Sequence, residues 1–100
     1  LPVAMKVIWT EQAMTRLLDI EDYIAAQNAA AVAKLVDKLV ALGDSLRRFP
    51  SRGRPLPELP RSRLRELVFR NYRIVYRKRA DYIEILTVFE GHRLLPTEDL

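Results

Sequence analysis

The chain has 100 residues, of which 49% are apolar and 30% charged, a composition typical of one small folded domain and unlike that of a disordered segment. It contains no cysteine and only one histidine, so disulfide frameworks and thiolate metal sites are excluded, and we expect neither a metal nor a cofactor. The net charge of +4 arises in the second half, where eleven basic side chains face seven acidic ones, after six face six in the first half.

The first stretch, LPVAMKVIWT, has neither a membrane-spanning apolar run nor the regions of a signal peptide, so we expect a cytoplasmic protein with no membrane partner. Met5 lies where a natural start is expected. We therefore interpret residues 1–4 as a cloning remnant or an upstream extension, and residues 1–100 as a single domain. The alternation in MKVIWT predicts a short strand with Val7 and Trp9 on one side.

Two amphipathic helices are predicted to follow this strand. Thr10 is suited to cap the first helix, which ends near Gln27 and has the apolar stripe Ala13, Leu17, Ile20 and Ile24. Asn28 serves as a break and as the cap of a second helix, which Pro50 stops. The apolar stripe of that helix is Val32, Leu35, Val36, Leu39, Leu42, Leu46 and Phe49. Because the link is short, we expect the two helices to lie antiparallel with their stripes in contact.

The stretch SRGRPLPELPRSR is rich in proline and is predicted to be a loop rather than regular structure. Three strands are expected after it, over residues 64–69, 72–79 and 82–90, joined by tight turns at Arg70-Asn71 and Ala80-Asp81. The predicted fold is therefore α+β. It has an N-terminal strand and an antiparallel helical hairpin packed on one face of a mainly antiparallel four-stranded sheet.

Two-residue turns fix which residues oppose each other across the predicted strands. The opposing pairs are Phe69 with Tyr72, Leu67 with Ile74, Tyr76 with Ile85, and Tyr72 with Phe89. The face expected to pack on the helices then consists of Leu67, Phe69, Tyr72, Ile74, Tyr76, Ile83, Ile85 and Phe89. The other face is mixed and consists of Glu66, Val68, Arg73, Val75, Arg77, Arg79, Tyr82, Glu84, Leu86, Val88 and Glu90.

The arginines on this mixed face have two interpretations. Arg73 lies among three valines, Val75 included, and Arg77 opposes Glu84 in a cross-strand ion pair. One interpretation is a solvated face with a few ion pairs. The other is a groove with an apolar floor and a cationic rim that binds an outside partner, which explains the valines better.

The order of strand, helix pair, Pro/Gly/Arg loop and three antiparallel strands resembles the ParE/RelE toxin superfamily of bacterial type II toxin–antitoxin modules. The segments that carry this resemblance are VIWTEQAMTRLLDIEDYIA, FPSRGRPLPEL, LREL, NYRIVYR and ILTVFEGHRLL, which extend over most of the chain from Met5 to Leu95. The HRLLP ending, with no tyrosine after the last strand, resembles the ParE branch more closely.

The resemblance implies a toxin of a plasmid-stabilisation module that inhibits DNA gyrase by protein binding and is neutralised by a cognate antitoxin. One alternative is a RelE-like nuclease that cuts messenger RNA on the ribosome. Another is an orphan binding module that has the fold without toxicity. We expect an acidic and apolar antitoxin segment to lie along the groove of the mixed sheet face.

Candidate site residues follow from these alternatives. For contact with the antitoxin or the target we select Arg54, Arg65, Arg73, Val75, Arg77 and Arg93. In the nuclease alternative, Arg73 stabilises phosphate charge, Glu66 is the base, and His92 is an acid or base. In the structural alternative, Glu66 and Arg73 form an ion pair and His92 is a loop residue. The RGRP motif is either a phosphate grip or a charged connection between helix and sheet.

Overall fold

The structure, a computed structural model, describes residues 4–100. Residues 1–3, which belong to the segment interpreted as a remnant or extension, lie outside the described residues. The elements in chain order are β1 (Lys6–Trp9), α1 (Glu11–Gln27), α2 (Ala29–Asp44), β2 (Arg54–Pro55), β3 (Arg65–Phe69), β4 (Tyr72–Lys78) and β5 (Tyr82–Glu90). Short 3₁₀ turns lie at Ser45–Arg47 and Thr97–Asp99. Neither helix of this part of the chain is long and apolar enough to cross a membrane.

Both predicted helix caps are confirmed. The Thr10 hydroxyl accepts a hydrogen bond from the Ala13 amide at 3.1 Å, and the Asn28 side chain accepts from the amides of Ala30 and Ala31 at 3.1 and 3.2 Å. These bonds satisfy donors of the first turns that have no partner within the helix. The sharp break at Asn28 therefore produces two separate helices joined by a single residue.

The end of the second helix was predicted wrongly. Helix α2 ends at Asp44 and tightens into a 3₁₀ turn, which breaks the 3.6-residue period of the apolar stripe. Phe49 is consequently 59% exposed instead of joining the core, while Leu46 stays fully buried. Near this end Gly43 lies so close to Trp9 that an added Cβ would be 2.4 Å from the indole ring, so the glycine permits α2 to approach β1.

The sheet has five strands in the order β1-β5-β4-β3-β2, with β1 parallel to β5 and the other pairs antiparallel. The α+β fold with a helical hairpin on one face is confirmed. The fifth strand is a correction, because residues 54–55 of the predicted loop pair with Arg65 and Glu66. A strand that contains Pro55 is tolerated there because β2 lies at the edge of the sheet.

The predicted register holds for the first hairpin and for the start of the second. Tyr76 pairs with Ile85 as expected, but Val75 pairs with Thr87, so Leu86 is bulged out of the ladder. Beyond this bulge every side chain of β5 is displaced to the other face relative to the prediction. Tyr72 accordingly faces Glu90 and not Phe89.

The bulge changes which residues form the core between sheet and helices. Val88, predicted on the mixed face, is buried in this core, whereas Phe89, predicted in it, lies on the opposite face. The fully or nearly fully buried members of the core are Ala13, Leu17, Leu39, Leu46, Leu67, Ile74, Tyr76, Ile83, Ile85 and Val88. Both helices therefore cover one face of the sheet. We call the face turned away from them the far face.

Candidate functional site

The far face is not the open apolar groove that its sequence predicts. Val75 is fully buried and Phe89 is 5% exposed, because Leu56 of the proline-rich loop packs on them. Leu95 and Leu100 of the C-terminal segment pack against the same cluster. The chain thus supplies its own cover for this part of the sheet, and Val75 has no surface open to a partner in this arrangement of the described residues.

The C-terminal segment is held in place by a carboxylate that two elements share. Asp99 accepts hydrogen bonds from the Arg16 guanidinium of α1 at 2.7 Å and from the Thr87 hydroxyl of β5 at 2.8 Å. Burial acts to raise the pKa of Asp99, but the bonds from Arg16 and Thr87 outweigh it, so the pKa is lowered. Glu98 adds a second, exposed contact to Arg16 at 2.9 Å. We call this set of contacts the C-terminal clasp.

Glu66, the candidate base, lies at the centre of an ion-pair network. One carboxylate oxygen accepts from Arg73 Nε at 2.6 Å, and the other accepts from Arg54 Nε at 2.7 Å. The Glu66 side chain is fully buried, so these two guanidinium groups replace the water that the carboxylate would otherwise hold. Glu66 and Arg73 had two predicted roles, in catalysis or as a structural ion pair. The structure contains the ion pair.

Arg73 is shared between two carboxylates and one aromatic ring. Its two terminal nitrogens donate to Glu58 at 2.8 and 2.6 Å in a bidentate pair, and its guanidinium lies 4.9 Å from the centre of the Phe89 ring. The hydrogen bonds to Glu58 are the largest cause that raises the pKa of Arg73 above its ordinary value. Burial acts to lower this pKa, but the hydrogen bond to Glu66 also raises it, and the net shift is upward. The same contact with Arg73 lowers the pKa of Glu58. Arg73 is therefore engaged within the chain.

The RGRP motif connects helix and sheet through backbone contacts. Gly53 donates its amide to the Tyr76 hydroxyl at 3.0 Å, and an added Cβ there would lie 2.6 Å from the Glu66 carbonyl oxygen. Arg65 donates to the Gly53 carbonyl from two nitrogens, at 3.0 and 2.7 Å. The geometry favours the structural interpretation of the motif, with Arg54 as the partner of Glu66.

The six residues selected for partner contact do not form one surface. Arg77 forms an ion pair with Glu84 at 2.7 Å, and the two residues lie opposite each other on β4 and β5, as predicted. Arg93 lines a cavity beside α1, and none of the other five selected residues lines that cavity. Their role in binding stays a prediction, and three of the five arginines already pair with carboxylates of the chain: Arg54, Arg73 and Arg77.

His92 lies at a shallow cleft of about 210 Å³ that has three arginines in its walls. The residues that line the cleft are Arg54, Val68, Arg70, Asn71, Arg73, Gly91 and His92. The His92 side chain is 80% exposed and contacts Glu90 through Nδ1 at 2.5 Å. Glu66 is not among the lining residues, so the three candidate nuclease residues do not converge on one open site.

Sequence reasoning missed two acidic partners of this region, Glu58 and Asp99. Glu58 was available as a signal, because it and Glu66 are the only acidic residues between Arg52 and Arg79, where ten basic residues occur. Asp99 gave no such signal, since 83 positions separate it from Arg16. Within residues 4–100, no group of histidine, cysteine and acidic side chains is placed to hold a metal ion.

Comparison with known proteins gives one family and several relatives. Residues 7–95 match the family described as ParE toxin of type II toxin-antitoxin system, parDE. The protein Y4kP of Sinorhizobium fredii, provisionally named a toxin, is 35% identical over 96 residues, which represent 91% of this chain and 93% of that protein.

Two solved structures have a similar fold. One is the chromosomal ParDE toxin–antitoxin system from P. aeruginosa, with a TM-score of 0.74, 22% identity, and coverage of 89% of this chain and 98% of that chain. The other is the toxin–antitoxin complex RelBE2 from Mycobacterium tuberculosis, with a TM-score of 0.61, 26% identity, and coverage of 88% and 99%. Both are toxin–antitoxin assemblies, and one comes from each branch of the superfamily that the sequence resembles.

Proposed function

We propose, since the chain belongs to the ParE toxin family of type II toxin–antitoxin systems, that it inhibits DNA gyrase by protein binding and has no catalysis of its own. A cognate antitoxin neutralises it, and together they form a plasmid-stabilisation module. The proposal places the toxin in the bacterial cytoplasm, where gyrase acts. Growth inhibition in the absence of the antitoxin is the cellular consequence.

The observation that carries the non-catalytic part of this proposal is the state of Glu66. Cleavage of RNA by its own 2′-hydroxyl needs a base that can reach the substrate and accept a proton. Glu66 is 1% exposed and both of its oxygens are bound by guanidinium groups. The carboxylate is therefore placed to hold the loop on the sheet, and neither of its oxygens is free to approach a hydroxyl of RNA.

A RelE-like ribosome-dependent nuclease is the second candidate function. The cleft beside His92 favours it, because Arg70 and the imidazole line one open place and suit the binding of a phosphate, while the two other arginines of the cleft pair with carboxylates of the chain. Against it stands the tail GHRLLPTEDL, which lacks the tyrosine that the resemblance to the nuclease branch implies. His92 also has Glu90 as a partner in place of a substrate group.

Two assays on the purified toxin separate these functions. We expect inhibition of gyrase supercoiling together with accumulation of cleaved DNA, and no cutting of messenger RNA on translating ribosomes. His92→Ala is a suitable control, because the side chain is 80% exposed and its removal leaves the core intact. The variant should inhibit gyrase like the parent. Ribosome-dependent cleavage that disappears in His92→Ala, with gyrase unaffected, would establish the nuclease instead.

The orphan binding module is tested in cells. Expression of the toxin without its antitoxin should arrest growth, and co-expression of the antitoxin should restore it. Unimpaired growth at a confirmed level of folded protein would favour an inactive member of the fold and would remove gyrase as a target.

A further inference from the structure

The chain leaves helix α2 through a run of tight turns that carries three arginines and one aromatic ring. The amides of Arg48 and Phe49 donate to the Ser45 carbonyl at 3.2 and 3.1 Å, and the Arg52 amide donates to the Phe49 carbonyl at 3.1 Å. The Arg52 guanidinium also donates to the Ser45 hydroxyl at 2.8 Å. These bonds gather the arginines and the ring in one small region. We call residues 45–52 the arginine turn.

Phe49 presents an uncovered ring within this turn. The residue is 59% exposed, while Leu46, three positions earlier, is fully buried and fixes the turn to the core. Within residues 4–100, the arginine–aromatic contacts involve the rings of Phe69 and Phe89, so no guanidinium lies over the Phe49 ring. The ring is therefore free to stack on a flat group brought from outside.

The arginines of the turn have no carboxylate partner. Arg47, Arg48 and Arg52 are exposed and occur in none of the ion pairs that the described residues form. Arg65 of β3 brings a fourth guanidinium group, which donates to the Ser51 carbonyl at 3.3 Å. A carbonyl is a neutral acceptor, so this contact leaves the charge of Arg65 unbalanced.

This arrangement differs from that of the far face, where the Glu66 carboxylate binds two arginines. The acidic residue next to the arginine turn is Asp44, and its Oδ1 atom accepts a hydrogen bond from the Trp9 indole at 3.3 Å. Guanidinium groups gathered without counter-charge attract anions, and their planar fork of donors matches the oxygens of a phosphate. The arginine turn is therefore suited to hold a partner that carries several phosphates.

The backbone of the turn favours a nucleic acid over an acidic peptide. A peptide commonly adds a strand to a sheet edge or lays a helix in an apolar groove. The amides of Arg48, Phe49 and Arg52 are already bonded within the turn, so they offer no strand edge. An open ring among guanidinium groups instead meets the two needs of a single-stranded nucleic acid, which are phosphate contacts and a surface for base stacking.

We propose that the arginine turn, together with Arg65, binds single-stranded nucleic acid, with the guanidinium groups on phosphates and one base stacked on Phe49. Binding is tolerant of sequence, because every base has a flat face. A single strand is preferred to a duplex, in which the bases already stack on each other. This activity goes beyond the proposed function and does not depend on whether gyrase or the ribosome is the target.

Two substitutions of Phe49 test the stacking contact. The measurement is fluorescence anisotropy of a labelled single-stranded oligothymidylate of about 15 nucleotides with the purified full-length chain. Phe49→Leu keeps an apolar side chain but removes the aromatic face, and should weaken binding about fivefold or more. Phe49→Trp enlarges the aromatic face and should bind at least as tightly as the parent. Because Phe49 is 59% exposed, both variants should unfold at nearly the temperature of the parent.

Removal of charge tests the phosphate contacts. Arg47→Gln/Arg48→Gln should weaken binding about tenfold or more at low salt, and should reduce the slope of log affinity against log salt by about 1.4. The matched control is Lys34→Gln/Lys38→Gln, which removes the same charge at two exposed positions of α2. These lysines line a cavity with Arg70 of the β3–β4 turn, at the opposite end of β3 from the arginine turn. The control should bind nearly like the parent.

Four results would overturn the proposal: no binding of the oligonucleotide at low salt, Phe49→Leu binding like the parent, an equal loss in the two double variants, or displacement by polyglutamate as effective as by unlabelled oligonucleotide. An equal loss would show diffuse attraction by net charge, and displacement by polyglutamate would identify a site for an acidic protein. Weaker binding of Phe49→Leu and Arg47→Gln/Arg48→Gln, with the lysine control unaffected, supports the proposal. The assay contains neither gyrase nor ribosomes, so failure of the proposed function leaves its result unchanged.

Discussion

On the helix face of the sheet, Ile74, Tyr76 and Ile85 are fully buried by side chains from two helices, whereas on the far face Val75 and Phe89 are covered by one loop leucine and the last residues of the chain. The first face is closed mainly by apolar contact. The second is closed by a small apolar cluster together with ion pairs and hydrogen bonds. The comparison accounts for three of the arginines in the second half, since Arg54, Arg65 and Arg73 hold the loop on the sheet.

The largest effect on this comparison is expected from the centre of the ion-pair network. Glu66→Ala should lower the free energy of unfolding by about 3 kcal/mol, because it takes one of two carboxylate partners from the mostly buried Arg73 and the carboxylate partner of Arg54. Arg54→Ala removes a side chain that is 62% exposed and should cost less than about 1 kcal/mol. Urea unfolding of the parent and of each variant measures the two losses of unfolding free energy. Equal small losses would mean that the apolar cluster alone closes the far face.

A smaller effect is expected at the close contact between the loop and the sheet. Gly53→Ala places a methyl group 2.6 Å from the Glu66 carbonyl oxygen and 2.7 Å from the Tyr76 hydroxyl, so the loop must shift. We expect a loss of about 2 kcal/mol. Ser51→Ala, at an exposed position in the same loop, is the control and should stay within about 0.5 kcal/mol of the parent. A neutral Gly53→Ala would show that the loop is loosely held.

The C-terminal clasp should make the free energy of unfolding depend on pH in the acidic range. Asp99 has a pKa below its ordinary value of 3.8, so its contribution is fully present above that value and is lost as the pH falls through the lowered pKa. Asp99→Asn should cost about 1–2 kcal/mol at neutral pH, a figure reduced by the partial exposure of Arg16.

Thermal unfolding of parent and Asp99→Asn between pH 7 and 3 checks the clasp. The difference between them should be constant above about pH 5 and should shrink below pH 3.8. A difference that grows on acidification would contradict the assigned direction of the Asp99 pKa.

The smallest effect is expected for the cross-strand pair at the end of β4. Arg77 donates to Glu84 at 3.1 and 2.7 Å, but the two side chains remain 34% and 20% exposed. Arg77→Ala should therefore cost less than about 1 kcal/mol, and the cost should fall in high salt. Lys78→Ala, at the exposed neighbouring position, is the comparison in the same denaturant titration. If the loss of unfolding free energy does not change with salt, it comes from packing of the aliphatic part of the Arg77 side chain and not from the ion pair.

The helices and strands follow from local sequence signals. The structure differs from the prediction where contacts between residues distant in sequence determine the backbone. Thr10 and Asn28 cap their helices through residues two or three positions away, so the sequence predicts them. The bulge at Leu86 has no glycine or proline beside it, and the displacement of Val88 and Phe89 could not be predicted from alternation. The short strand β2 forms in spite of Pro55 because its partner β3 lies in register beside it.

The closure of the far face was not predicted, for a related reason. The pairing of Arg77 with Glu84 follows from the register that a short turn between the two strands fixes, and it is confirmed. The closure of the far face depends on Leu56 and Leu100, which reach Val75 from segments 19 and 25 positions away along the sequence. No local pattern marks a loop or a tail that folds back, so the far face was interpreted as open.

Hydrogen exchange of the toxin with and without its antitoxin tests most directly whether the chain itself closes the far face. The account predicts that antitoxin leaves exchange unchanged at residues 54–58 and 95–100, because these segments already cover Val75 and Phe89. Slower exchange at those two segments in the presence of antitoxin would contradict it.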